Sequence, residues 1–114
     1  MDMKRRRELL EAYKNRRPQM GVISIRCLAT GEVFLGTSTD TKADFNSNRA
    51  KLSMNGHPNQ RLQALWNQYG ESGFAFTVPE TLDYENREDD HSQELETLRE
   101  LLLEQDPQAR RIWR

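Results

Sequence analysis

Two histidines, one cysteine and a sharply sorted set of charges are the raw material for chemistry in this sequence of 114 residues. His57 and His91, with Cys27, cannot build a zinc site of familiar spacing. Cys27 has no second cysteine to pair with and reads as a small apolar filler in a strand. His57, just before Pro58, reads as a loop residue, and His91 as a residue of a first helical turn. The GESG segment at 70–73 lacks the lysine and the length of a phosphate-cradling loop, and no nucleophile elbow occurs. What remains is charge. The run Lys4, Arg5, Arg6 and Arg7, with Arg110 and Arg111 near the other end, can bind phosphates in a strongly salt-dependent way. The same residues read equally well as solvated ends lying beside an acidic stretch. Trp113, between Arg111 and Arg114, reads either as a ring that stacks on a base or as one that docks on the body together with Ile112.

The sum of charges hides their order. The net charge is −1, yet Asp83, Glu85, Glu88, Asp89, Asp90, Glu94, Glu96, Glu100 and Glu104 face only Arg87 and Arg99 within the late segment. Hydrophobic residues make up 35% and charged residues 31%, which predicts a thin core under a heavily solvated surface. No run is apolar enough for a membrane span, and MDMKRRR does not open a signal peptide, so we expect no membrane partner and a cytoplasmic protein.

These side chains must be positioned by a single small domain. GVISIRCLATGEVFLG, residues 21–36, reads as a β-hairpin, because Ile23, Ile25 and Cys27 alternate with Val22, Ser24 and Arg26, and Gly31 suits the turn. A helix is predicted before it over about 3–17, carrying Leu9, Leu10 and Tyr13 and stopped by Pro18. After Gly36 a weakly apolar helix follows, capped by Thr39, Asp40 or Thr41, with Phe45 and Leu52 facing inward. A clearer helix carries Leu62, Leu65, Trp66 and Tyr69 and ends at Gly70. FAFTV at 74–78 predicts a third strand ending at Pro79, and Leu95, Leu98 and Leu102, widened by Leu101 and Leu103, predict a last helix ending at Asp106 and Pro107. The expected fold is α+β: a small three-stranded antiparallel sheet packed by about four helices. We expect an accessory helix at 1–19, the domain proper at 20–106 and a basic tail at 107–114.

The pairing of Gly21, Val22 and Ile23 with Phe34, Leu35 and Gly36, then a helix, then LQALWNQYGESGFAFTV, then an acidic helix, resembles the GIY-YIG nuclease superfamily over about residues 20–103. The resemblance implies two hairpin tyrosines and a helix arginine around a hydrolytic water and a phosphate, with a later glutamate holding a divalent cation. In such a site the guanidinium offsets charge on the phosphorane and the carboxylate fixes a hard ion such as Mg²⁺ or Mn²⁺. Carried over residue by residue, the tyrosine positions fall on Ile23 and Phe34, the arginine on Asp44 and a polar helix position near Asn48. The glutamate is retained as Glu96. Losing one preorganised charge stabiliser costs about 3 to 4 kcal/mol, and an acid in its place costs more. Lys42 and Arg49 on the helix, or Ser24 on the hairpin, are the candidate substitutes. The resemblance therefore implies an endonuclease-like domain with an eroded catalytic set that keeps at most contact with DNA or RNA. Two alternatives stay open: a protein-interaction or regulatory module, and an active phosphodiesterase with a rearranged site.

Overall fold

The hairpin forms as its alternation demands, and the rest of the chain packs on its two faces. The structure, a computed structural model, describes residues 3–6, 18–86 and 88–113. β1 is Met20–Cys27 and β2 is Val33–Ser38, paired antiparallel with Ile23 opposite Gly36 and Ile25 opposite Phe34. Gly31, at φ 79°, closes the turn, where its N–H donates to the Cys27 carbonyl at 2.8 Å. Residues 3–6 are helical, and the remainder of the predicted first helix lies outside the described residues.

α1 is Thr41–Ser53 and α2 is Gln60–Tyr69. Asp40 caps α1 by accepting from the Ala43 N–H, and Asn59 caps α2 by accepting from the Leu62 N–H. β3, Phe74–Leu82, pairs antiparallel with the other edge of β1. It does not stop at Pro79 as expected. Val22 pairs with Glu80 but Ser24 with Thr77, so Val78 and Pro79 together face one residue of β1. The proline sits at this bulge on an edge strand, where its missing N–H breaks no essential ladder bond.

α3 is Ser92–Gln105, and β4, Ala109–Arg111, follows it. The strand order is β3-β1-β2-β4, with β4 parallel to β2. The fold is thus α+β, as expected, but with a four-stranded mixed sheet in place of three antiparallel strands. The supposed tail supplies the extra strand, because backbone pairing needs no apolar pattern in its side chains. Among the described residues no helix is long and apolar enough to cross a membrane.

Two apolar layers result. On one face Ile23, Ile25, Cys27 and Phe34 pack against Leu52, Leu62, Leu65, Trp66, Phe74 and Ile112. On the other, Val22, Val33 and Leu35 are covered by Leu98, Leu102, Leu103 and Ala109. Tyr69 and Leu101, expected on apolar stripes, are exposed. Gly21 allows the central strand to approach β3, since a Cβ there would lie 2.2 Å from the Glu80 carbonyl oxygen.

Candidate functional site

The hairpin brings Ile23 and Phe34 onto the same sheet face, which is where a pair of reactive hydroxyls would have to converge. Both are fully buried, at 0% exposure, inside the larger apolar layer. Neither side chain carries a proton to donate or a lone pair to attack with. Above them the C-terminal segment closes the face. Ile112 is buried in the same layer, its N–H donates to the Leu35 carbonyl at 2.9 Å, and Asn59 Nδ2 donates to the Ile112 carbonyl at 2.9 Å. The Trp113 ring lies over Gly36, where a Cβ would stand 3.2 Å from its Cζ2 atom.

α1 carries the next two positions. Asp44 is half-buried, and its carboxylate accepts a short hydrogen bond from the Ser38 hydroxyl at the end of β2. The Ser38 oxygen in turn accepts from the Asp40 N–H at 3.1 Å. Asn48, one turn later, is buried; its Nδ2 donates to the Asp44 carbonyl at 2.7 Å and its Oδ1 faces His57 Nε2 at 2.7 Å. His57 Nδ1 accepts from the Asn59 N–H at 3.0 Å, and its own N–H donates to Gln63 Oε1 at 3.0 Å. Burial, and then the charge of Lys51, hold the His57 pKa below its usual value. His57 is therefore the hub of a polar network that ties α1 to the start of α2. Sequence reasoning placed it only in a loop; the signal was its position two residues before the capping Asn59.

A recess of about 280 Å³ opens beside Asp44, lined by Ser38, Thr39, Asp89, Asp90, Ser92 and Leu95 among others. Carboxylates line it on both sides, with Asp44 from α1 and Asp89 and Asp90 from the loop before α3, and His91 joins them. Asp90 is held below the usual carboxylate range by hydrogen bonds from Ser92. Ser92 and Leu95 are the α3 residues that reach this recess. Glu96, one residue on, is exposed. Among the described residues no three Asp, Glu, His or Cys side chains gather as a ligand set.

The candidate substitutes do not converge on Glu96. Ser24 is buried on the opposite face of the sheet from Ile23, beside Arg26 and Thr77 in a separate groove. Arg49 lies 4.3 Å above the Phe76 ring and 3.8 Å from Glu71, and Lys42 is exposed on the first turn of α1. Among the described residues no hydrogen bond or ion pair joins any of the three to Glu96.

Of the basic groups, Lys4, Arg5 and Arg6 are exposed, and Arg7 lies outside the described residues. Arg110 and Arg111 are exposed on β4; Arg111 pairs with Glu100, and the charge of Arg110 helps hold the Glu32 carboxyl down, behind the larger effect of Arg61. Sequence reasoning missed Arg99, which is buried on α3 with its Nε unpartnered among the described residues.

No family model matches the chain, and no curated protein matches it. Among solved structures, the chain is similar to the catalytic domain of the homing endonuclease I-TevI, at TM-score 0.64 and 17% identity, over 75% of this chain and 86% of that one. A point mutant of the same intron-endonuclease domain aligns with TM-score 0.64 and 17% identity over 76% of this chain and 82% of that one. The chain thus shares the fold of the I-TevI catalytic domain.

Proposed function

We propose that this domain is a GIY-YIG scaffold whose hydrolytic set has eroded, so that it cuts phosphodiesters weakly or not at all and keeps nucleic-acid contact through its basic ends. The observation that carries the reading is the full burial of Ile23 and Phe34 in the apolar core, at the two hairpin positions where the superfamily pattern has tyrosines. Asp44 supports it further. A phosphate approaching this face meets a carboxylate where a guanidinium would offset the charge that develops in the transition state.

The direct test is incubation with plasmid, single-stranded and branched DNA in Mg²⁺ or Mn²⁺. The expected result is no nicking above a protein-free blank. Metal-dependent cleavage that disappears in Glu96→Ala would overturn the reading and make the domain an enzyme with a rearranged site.

A second reading, a protein-interaction module that keeps only the scaffold, draws support from the acidic recess of Asp44, Asp89 and Asp90. Carboxylates there repel a phosphate backbone and favour a basic partner. This reading predicts no salt-dependent affinity for any nucleic acid, which separates it from the first.

A further inference from the structure

We propose that Trp113 is a stacking platform for an unpaired base of single-stranded nucleic acid, an inference that rests on the reading above that the domain contacts nucleic acid. The ring is large, 37% exposed, and seated over the backbone of Gly36. The residues before it are clamped. Ile112 is buried, its N–H is bonded to Leu35, and Asn59 Nδ2 reaches both the Ile112 carbonyl and, at 3.3 Å, the Arg111 carbonyl. A ring held this firmly loses little freedom when a ligand lands on it.

What surrounds the ring selects the ligand. A surface recess beside it is lined by Trp113, Pro58, Ile112 and Arg111, so that an indole ring, a saturated proline ring and an aliphatic side chain border it. A planar base can lie on the exposed indole face, with apolar contact from Pro58 and Ile112. Arg110 stands beside Arg111 on the same exposed strand. Arg111, level with Leu35, turns to Glu100 on the α3 side, whereas exposed Arg110, level with Phe34, shares the sheet face of Ile112 and is the cation a phosphate of the bound strand can reach. Bases in a duplex hide their faces in the stack. A single strand presents them.

The test measures binding of labelled oligothymidine and oligouridine to the full chain by fluorescence anisotropy at low salt. Trp113→Ala should weaken binding by roughly 5- to 150-fold, the range that removal of a stacking aromatic gives. Trp113→Phe should keep most of it, and tryptophan fluorescence should be quenched on binding in the wild type. An abasic strand of equal length should bind the wild type about as weakly as the oligonucleotides bind Trp113→Ala. Comparing thymidine with uridine strands identifies DNA or RNA as the source. Equal affinity of wild type and Trp113→Ala, or of abasic and oligothymidine strands, overturns the platform while leaving basic-end contact intact. Absence of all binding, or binding only of a protein partner, overturns both. Cleavage of DNA overturns the eroded-site reading alone.

Discussion

Protonation of His57 should loosen the junction between α1 and α2, and the loss can be followed through the stability of the whole domain. The hydrogen bonds define the state of the ring. Asn48 Nδ2 is used on the Asp44 carbonyl, so Asn48 Oδ1 is an acceptor and His57 Nε2 must carry the proton. His57 Nδ1 receives the Asn59 N–H, so that nitrogen is bare. The ring is neutral, and a second proton would set a donor against a donor. Burial, followed by the charge of Lys51, lowers the pKa in the folded state. The unfolded ring takes up its proton near pH 6.5, whereas the folded ring resists. The unfolded state then binds more protons, so stability is full above about pH 6.5 and declines as pH falls through the folded pKa. Over that interval the slope is about 1.4 kcal/mol per pH unit.

The assay is urea unfolding of wild type and His57→Asn at several pH values from about 7.5 down to about 5, a window that lies above the ordinary carboxylate range. Wild type should lose stability along this slope. His57→Asn should be weaker at neutral pH, because the polar atoms around it lose their partner, and flatter below it. NMR titration of the His57 ring gives an independent readout. Parallel pH profiles for wild type and His57→Asn, or a His57 ring that titrates at or above pH 6.5, would refute the assignment of a neutral, network-bound imidazole.

Phe34→Tyr should destabilise the domain by about 1–3 kcal/mol, because the hydroxyl enters a fully buried apolar site; urea midpoints measure it. Ile112→Ala should cost about 2–5 kcal/mol, as for other buried aliphatics, whereas a loosely attached tail would show no change. Gly21→Ala should abolish cooperative unfolding, since its Cβ would collide with the Glu80 backbone oxygen, while Gly56→Ala, with its nearest atom 3.9 Å away, should leave the transition cooperative.

The parts of the fold that were legible in the sequence are those whose side chains alternate or repeat. Ile23, Ile25 and Cys27 announced the core face of β1, and Leu62, Leu65 and Trp66 announced the buried side of α2. α1 gave a weak pattern because it is held by polar contacts as much as by apolar ones: Ser38 to Asp44, Asn48 to His57, and Thr41 Oγ1 to Gln19 at 3.0 Å. No periodicity encodes such bonds. β4 was invisible for a related reason. Its alanine and two arginines look like a solvated tail, and only the free edge of β2 makes them a strand. On the hairpin, the register puts Ile23 and Phe34 on one sheet face. On α3 the register is less forgiving, because neighbouring residues on a helix point about 100° apart. That rotation carries Leu95 to the recess and leaves Glu96 in solvent.

The apolar residues at positions 23 and 34 and the C-terminal edge strand fit together physically. A water-filled site above the hairpin requires polar atoms at positions 23 and 34 and an open approach over Gly36. With isoleucine and phenylalanine at those positions the same volume becomes apolar, and it is then most stable when covered. Ile112 and Trp113 cover it, and the strand leading to them pairs along β2. In a chain with 35% hydrophobic residues, each buried aliphatic contributes about 1.5–3 kcal/mol to a thin core, so the covered arrangement is favoured over an open one. Reopening the face would require polar groups at 23 and 34 together with displacement of Ile112. Either change alone leaves an unpartnered hydroxyl or an exposed apolar floor.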